Sequence, residues 1–401
     1  MTSLHPVDRE AKTMRITPLM TAMITTLVLL VGCRSTENVI MESKSGFTVT
    51  NAAGLDTGPI QRITLKNLRG MEVEIIELGA TVTRVVVPDR NGRPIDVVLG
   101  FDTVEEYPDK SQYFGCTVGR VGNRIAGGSF MIDGVEHQLA TNNGENHLHG
   151  GIRGFDRCLW SADPLMTANG PGVRLTLRSP DGEEGYPGEL DAQVIYVLTE
   201  SNELVVEMTA TTDAPTPVNI VHHTYWNLGG HDSGSILDET LEIAADRYTP
   251  IDGGFIPTGE LAPVLGTPLD FRMAKPIGSD IGAFPGNDED PGGFDHNFCL
   301  NGEWGIMREV VRLSNPDTGI VMVIETDQPG LQFYTGNYLD GISGKSGARY
   351  EKFGGVCLET QAYPDSINHQ GEDGWPDVVL RPGGAYGHRM IHRFTTDATP
   401  R

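Results

Sequence analysis

Apolar and polar residues alternate with a period of two along many short stretches of this chain. Because successive side chains of a strand point to opposite faces of a sheet, this period predicts strands with one buried face. The clearest stretches cover residues 71–87, 173–178, 193–198, 204–211, 310–313 and 320–326. Asp133-Gly134 predicts a tight hairpin, since a type I′ turn needs positive φ at both central residues. The pattern therefore predicts many antiparallel strands, with a short helical turn within residues 103–113.

Length and composition favour one large all-β domain over a string of small ones. The chain has 401 residues, and its 50 glycines and 25 prolines are scattered without a repeat, as turns between short strands require. All-β domains often exceed about 200 residues as a single unit. We therefore predict a large antiparallel β-sandwich over residues 47–401.

The N-terminal segment predicts an export signal followed by a tether. Arg15 precedes an uncharged, mostly apolar run over residues 16–32, and Cys33 follows it. The run is short for a membrane span, which takes about 20 apolar residues, and it resembles a bacterial lipoprotein signal. We expect residues 1–32 to be removed, Cys33 to carry the lipid, and residues 33–46 to form a flexible tether in the periplasm or cell envelope. An uncleaved anchor helix is the alternative, and Met14 is a second candidate start.

The charge of the chain excludes some classes of partner. Its formal net charge is -24, from 30 Lys plus Arg and 54 Asp plus Glu. Such a surface repels the phosphates of nucleic acids and anionic membrane surfaces. We expect no nucleic-acid partner, and contact with a membrane only through the lipid anchor.

Apart from Cys33, four cysteines are spread along the chain without a recognisable motif. They stand at Cys116, Cys158, Cys299 and Cys357. No two of them form a C-x-x-C pair, so their spacing indicates neither a zinc site nor a disulfide framework. Pairing among them, like the oligomeric state, is left open by the sequence.

Polar and aromatic residues cluster in six segments in a way that strand formation does not require. These segments lie at 119–125, 143–151, 219–228, 293–297, 331–337 and 358–361. His222 and His223 are adjacent and point to opposite faces of an extended strand, so only one of them can line a given site. His147 and His149 alternate along a strand, but no third ligand stands at a recognisable spacing, and we predict no metal.

Taken together and in this order, the segments resemble the aldose 1-epimerase family from about residue 46 to the C-terminal strands. The matching phrases are NRI at 123–125, LHGG at 148–151, GFD at 154–156, HTYWNL at 223–228, FDH at 294–296, QFYTGN at 332–337 and ETQ at 359–361. The resemblance implies a large antiparallel β-supersandwich of the galactose mutarotase type with a sugar cleft on one face. It also implies interconversion of the α and β anomers of free aldoses such as glucose and galactose, with no cofactor.

The resemblance also assigns roles to individual residues. Glu359 corresponds to the base that takes the proton from the C1 hydroxyl, and His223 to the acid that protonates the ring oxygen. The residues implied to bind the sugar are Arg124, His149, Asp295, Gln332, Asn123 and Tyr225. Ring opening needs a base and an acid together, since one proton leaves O1 while another reaches O5, and positioned proton transfer contributes about 10²- to 10⁴-fold.

Two other functions stay open from the residues alone. Glu359 and Asp295 are the carboxylates that a glycosidase would place on either side of an anomeric carbon, although His223 would then have no role. A surface sugar-binding lipoprotein without turnover is the second alternative. The preferred aldose depends on loop contacts that the sequence does not reveal.

Overall fold

Short β-strands joined by tight turns make up most of the described chain in this computed structural model. The structure describes residues 41–42, 46–55, 58–287 and 290–397. The strands of the first half are β1 (Met41–Glu42), β2 (Phe47–Leu55), β3 (Gly58–Lys66), β4 (Glu72–Ile76), β5 (Thr81–Pro88), β6 (Pro94–Asp96), β7 (Cys116–Val118), β8 (Arg124–Ile125), β9 (Ser129–Ile132), β10 (Val135–Gln138), β11 (His147–Leu148), β12 (Ser161–Met166), β13 (Pro171–Ser179), β14 (Leu190–Leu198) and β15 (Glu203–Thr212). The strands of the second half are β16 (Thr216–Pro217), β17 (Val221–His223), β18 (Tyr225–Trp226), β19 (Thr240–Ile243), β20 (Ala245–Tyr248), β21 (Ala262–Pro263), β22 (Lys275–Pro276), β23 (Asp295–Leu300), β24 (Arg308–Ser314), β25 (Ile320–Thr326), β26 (Gly330–Tyr334), β27 (Ile342–Ser343), β28 (Arg349–Tyr350), β29 (Val356–Gln361), β30 (Val379–Leu380) and β31 (Tyr386–Thr396).

Within the residues that the structure describes, the helical segments are single turns that connect strands. One is α-helical, α1 (Tyr107–Lys110), and it lies inside the stretch 103–113 where the sequence predicts a short helical turn. The 3₁₀ turns are Val104–Glu106, Ala126–Gly128, Phe155–Arg157, Glu183–Gly185, Ile277–Ser279, Ile281–Ala283, Lys345–Gly347 and Ser366–His369. Strands rather than helices therefore carry the fold.

Among the described residues, three large antiparallel sheets contain most of the strands. The first runs in the order β1-β2-β3-β4-β5-β6, and the second, with nine strands, in the order β12-β13-β14-β15-β31-β25-β24-β19-β22. The third runs in the order β18-β29-β26-β23-β20-β21. Every pairing within them is antiparallel. This confirms the predicted all-β antiparallel architecture.

The nine-stranded sheet packs against the third sheet to form the main core. The ring of Trp226 on β18 lies 5.7 Å from that of Phe394 on β31, and Thr360 on β29 is hydrogen bonded to His388 on β31 at 2.8 Å. One face of the third sheet is thereby buried against the sandwich. Because side chains alternate along each strand, the other residues of β18 and β29 point away from this core.

Local patterns in the sequence predict several of these elements closely. The stretches at 193–198, 204–211 and 320–326 fall within β14, β15 and β25. Asp133 and Gly134 have φ of 52° and 81° and join β9 to β10 in a hairpin, as predicted. The stretch at 71–87 is two strands, β4 and β5, because the chain reverses at Gly79 and Ala80, both with positive φ.

The predicted N-terminal signal and Cys33 lie outside the described residues. Met41 and Glu42, which fall inside the predicted tether, pair with Val49 and Thr48. In the described part of the chain, no helix has the length and apolar character needed to cross a membrane. The four cysteines that the sequence left unassigned are all free and buried.

Candidate active site

Strand alternation places one row of polar side chains on the outer face of the third sheet. On β29, Leu358 and Thr360 point toward the core and Glu359 points the other way. On β26, Gln332 stands directly opposite Glu359 in the antiparallel register. Asp295 on β23 continues the row, since its Oδ1 accepts a hydrogen bond from Gln332 Nε2 at 2.5 Å. Three residues distant in sequence are therefore neighbours because adjacent strands carry them.

The adjacent histidines of β17 are divided between core and cavity, as predicted. His222 points into the sandwich, where its ring lies 5.8 Å from that of His392 and its Nε2 is bonded to Thr224 at 2.7 Å. His223 points to the opposite side, with Nε2 3.6 Å from Oε1 of Glu359. His222 is thus structural, and His223 belongs to the cavity.

All eight residues assigned by the resemblance line one cavity of about 490 Å³. They are Asn123, Arg124, His149, His223, Tyr225, Asp295, Gln332 and Glu359. A cavity of this size and polarity fits a small polar ligand, and the convergence of several titratable groups is typical of active sites.

Burial opposes charge on both members of the central pair. Glu359 is 2% exposed and its Oε2 has no hydrogen-bond partner among the described residues. Desolvation raises the pKa of Glu359 well above its usual value, the Asp295 carboxylate adds to this, and Arg124 opposes it. Burial lowers the pKa of His223 to about 4. The pair therefore favours a state in which it holds one proton and has no net charge.

Arg124 is held at one wall of the cavity by fixed partners. Its Nε donates to Asn143 Oδ1 at 2.9 Å, and its guanidinium lies over the ring of Phe255 at 4.8 Å. Its Nη1 is 3.9 Å from Oδ2 of Asp295. Burial raises the pKa of Asp295, while Arg124 and the hydrogen bond from Gln332 oppose that shift. The wall thus offers a cation and hydrogen-bond acceptors at set positions.

His149 is fixed in one tautomer by the backbone. The N–H of Asn123 donates to its Nδ1 at 3.1 Å, so the hydrogen of the neutral ring lies on Nε2. Burial lowers the pKa of His149 well below its usual value, and the neighbouring His223 adds to this. His149 is therefore a neutral hydrogen-bond donor. The side chain of Asn123 bonds to the neighbouring backbone, because its Oδ1 accepts a hydrogen bond from the N–H of Arg124 at 2.9 Å.

Some cavity residues were not found by sequence reasoning. The ring of Tyr113 lies close to both histidines in tilted orientations, with ring centroids 4.6 Å from His149 and 5.5 Å from His223. Tyr113 and Phe255 have φ of 64° and 61°, a conformation rare for aromatic residues. The other residues that were missed are Ser111, Gln112, Asn143, Leu148, Asp156, Arg157, Tyr334 and Tyr338. Of these, Asn143, Leu148, Asp156 and Tyr334 stand in the motif segments, which is the signal that could have found them.

The structure gives His147 a structural role, because both of its ring nitrogens have protein partners. Its Nδ1 contacts the Ala140 carbonyl at 2.7 Å and its Nε2 the Tyr186 hydroxyl at 2.8 Å. Within the described residues, a different set, His223, Cys357 and Glu359, brings one donor atom each within 4.8 Å of one another. Burial raises the pKa of the Cys357 thiol, so a metal ion at these donors would have to displace its proton.

Comparisons with known proteins agree with this geometry. The sequence profile of the aldose 1-epimerase family matches residues 61–393. Galactose mutarotase of Bos taurus is 47% identical over 342 residues, which cover 85% of this chain and 96% of that protein. Aldose 1-epimerase of Escherichia coli K12 is 36% identical over 351 residues, covering 87% and 99% of the two chains.

A solved structure shows the same architecture. The crystal structure of galactose 1-epimerase from Lactobacillus acidophilus NCFM superposes with a TM-score of 0.75 at 30% identity, covering 88% of this chain and 99% of the other. This likeness confirms the predicted galactose mutarotase type of β-supersandwich. The chain therefore belongs to the aldose 1-epimerase family and is an enzyme that interconverts the anomers of an aldose.

Proposed function

We propose that the enzyme opens and recloses the ring of free aldohexoses such as galactose and glucose, with Glu359 as the base and His223 as the acid. The observation that carries this proposal is the pairing of a buried carboxyl group that has a free oxygen with a buried imidazole, 3.6 Å apart in one cavity. Their placement in a cavity suits proton exchange with a ligand.

Ring opening moves two protons and breaks one bond. Glu359 takes the proton of the C1 hydroxyl, and the electrons of that O–H bond form the carbonyl while the C1–O5 bond breaks. O5 receives a proton from Nε2 of His223. Rotation about C1–C2 then presents the other face of the carbonyl, and the same steps in reverse close the ring to the other anomer. No net proton is gained or lost.

The pKa directions favour this exchange. The reacting state has a carboxylate and an imidazolium, while the state after ring opening has a neutral carboxyl and a neutral imidazole. Burial raises the pKa of Glu359 and lowers that of His223, so it favours the neutral pair. The same single proton converts the neutral pair to the charged one by moving from Glu359 to His223. Solvent therefore need not supply a proton for each turnover.

The remaining residues bind and polarise the sugar. His149 donates from Nε2 and Arg124 supplies a fixed positive charge, and both favour the shift of electrons toward a ring oxygen. Asp295 and Gln332, hydrogen bonded to each other, present acceptor and donor groups to sugar hydroxyls. Tyr225 closes the cavity beside His223, with ring centroids 5.3 Å apart.

Polarimetry of freshly dissolved α-D-galactose tests the proposal. Replacing the base in Glu359→Gln should slow the enzymatic relaxation by about 10²-fold or more, while calorimetry should still detect galactose binding. Glu309→Gln, at an exposed position on β24, is the matched control and should keep the parent rate. A parental rate in Glu359→Gln would remove Glu359 from the mechanism.

The same preparation separates the alternative functions. Release of nitrophenol from an aryl galactoside without faster anomerisation would support a glycosidase, and galactose binding without faster anomerisation would support a binding protein. Initial rates with glucose, galactose, xylose and arabinose then establish the preferred aldose. We expect the two hexoses to be turned over.

We further propose that the protein is exported and anchored through a lipid on Cys33. The support is the sequence alone: Arg15, the apolar run at 16–32 and the cysteine that follows it. Cells expressing the full chain should incorporate labelled palmitate into the protein and retain it in the membrane fraction. Cys33→Ser should abolish both, and label that persists in this variant would contradict the proposal.

A further inference from the structure

The two ring nitrogens of His223 face different neighbours. Nε2 lies 3.6 Å from Oε1 of Glu359, whereas Nδ1 lies 3.7 Å from Sγ of Cys357. The nitrogen that exchanges a proton with the sugar is the one beside Glu359. A neutral imidazole can accept a proton on Nε2 only if its one hydrogen is on Nδ1. Nδ1 of His223 must therefore keep its hydrogen through the whole cycle.

Cys357 is placed where it can stabilise that hydrogen. It stands on β29 directly opposite Tyr225 of β18, and its side chain is fully buried. Burial raises the pKa of the Cys357 thiol, and the side chain of Tyr225 opposes this shift. A thiol sulfur is a weak acceptor, and here it lies within hydrogen-bond distance of Nδ1.

The second histidine of the cavity is held in the opposite way. His149 receives the backbone N–H of Asn123 on Nδ1, which leaves its hydrogen on Nε2. The rings of His149 and His223 are 5.1 Å apart and nearly perpendicular. Two neighbouring imidazoles thus have different partners on Nδ1, a donor for one and a sulfur for the other. This difference separates a fixed donor from a proton carrier.

We propose that Cys357 is a positioning residue whose sulfur accepts a hydrogen bond from Nδ1–H of His223 and so keeps Nε2 free to carry the exchanged proton. The inference rests on the proposed role of His223 as the acid. The same contact serves both states of the ring, because the imidazolium and the neutral form each have a hydrogen on Nδ1. Cys357 itself neither gains nor loses a proton.

The opposite arrangement makes a different prediction. If the thiol donated its S–H to Nδ1, the hydrogen of neutral His223 would lie on Nε2. His223 would then be a fixed donor like His149, unable to take a proton from Glu359. The tautomer of His223 in the sugar-free enzyme therefore decides between the two arrangements.

NMR of the full chain with ¹⁵N-labelled histidine measures this tautomer directly. His223 is assigned by loss of its signals in His223→Asn, and its two nitrogen shifts show which one bears hydrogen at pH 7. We expect hydrogen on Nδ1 of His223 and on Nε2 of His149. Hydrogen on Nε2 of His223 overturns the inference whatever the variants do.

Substitutions of Cys357 test the consequence for turnover. Cys357→Val fills a similar volume without an acceptor, and it should lower kcat about tenfold, the effect of one hydrogen bond to a group that becomes charged, with KM little changed. Cys357→Ser restores an acceptor and should recover most of the rate. Cys299→Val, at a buried thiol that packs with Tyr363 and Trp375 instead of His223, controls for the loss of a buried sulfur and should keep the parent kcat.

The outcomes separate this inference from the proposed function. Parental rates in Glu359→Gln and His223→Asn would defeat the proposed function and, with it, the role of Cys357. Slow rates in those two variants together with a parental kcat and tautomer in Cys357→Val would defeat the inference alone. If Cys357→Val does not fold, the tautomer measured in the parent enzyme still decides.

Discussion

His392 allows the acid sensitivity of the sandwich to be worked out from one side chain. It lies on β31 in the core, with its ring 5.0 Å from Trp226 and 5.8 Å from His222. Its Nδ1 has no hydrogen-bond partner in the described structure. Burial lowers the pKa of His392 to about 4, and the neighbouring His388 adds to the shift. The folded protein therefore keeps this ring neutral under conditions where an exposed imidazole would be protonated.

The sign and size of the effect follow from linkage. The unfolded chain, with a histidine pKa of about 6.5, binds the proton before the folded chain does, so stability is lost as the pH falls from about 6.5 toward 4. The full difference corresponds to about 3 kcal/mol, of which about 2 kcal/mol is lost by pH 5. Buried carboxyls with raised pKa values, such as Glu239 at about 7, have the opposite dependence. A comparison of two variants is needed to isolate His392.

Urea unfolding of the parent and of His392→Phe at pH 7.5 and 5.0 provides that comparison. The phenyl ring fills a similar space and cannot be protonated. Between the two pH values the parent should lose about 2 kcal/mol more unfolding free energy than His392→Phe. His137→Phe, at a partly exposed position, is the control and should behave like the parent. Equal losses in the parent and His392→Phe would refute the reasoning.

Three further outcomes follow from the same geometry. Burial lowers the pKa of His223 to about 4, so kcat/KM should stay level from pH 7 to 5 and fall only near pH 4. If kcat/KM instead falls with a midpoint near pH 6.5, His223 is not the group whose titration limits the rate. Gln332→Leu removes the hydrogen bond to Asp295. In steady-state polarimetry this change should raise KM about tenfold and affect kcat much less. An unchanged KM would argue against a sugar-binding role for Gln332. Lys345 is buried and forms an ion pair at 2.6 Å with the partly buried Asp96, which also has a more distant pairing with Arg84 at 4.0 Å. In urea unfolding Lys345→Met should cost about 3 kcal/mol, the low end for breaking a buried pair, and adding Asp96→Asn should recover much of it. A stable single variant would contradict the pairing.

The site shows how a chain built mainly of strands positions its reacting groups closely. Glu359, Gln332 and Asp295 stand on three adjacent strands in fixed register. A one-residue slip of any strand would turn its side chain into the core. The hydrophobic residues between them, such as Leu358 and Phe333, therefore define the register that the polar residues use. Packing and chemistry are specified by alternate positions of the same strands.

Much of the fold could be predicted from the sequence because strands are encoded locally. The period-two pattern of residues such as those at 320–326 identifies a strand whatever its partner is. Asp133-Gly134 identifies a hairpin because only a few residues accept positive φ at both turn positions. The opposite orientation of His222 and His223 follows from adjacency alone. Each of these conclusions uses a few consecutive residues and needs no knowledge of distant contacts.

The tertiary structure alone determined the properties that depend on groups from distant parts of the chain, such as side-chain distances and pKa values. The motifs identify Glu359 and His223 as a candidate pair, but their 3.6 Å approach and their burial arise only when β17 and β29 pack together. The same packing sets their pKa values, because desolvation and neighbouring charges act through space rather than along the chain. It also places Tyr113 in the cavity wall and Cys357 beside His223. No local pattern encodes these contacts, so the sequence alone specified the strands and the candidate residues, while the folded sheet determined their protonation and their partners.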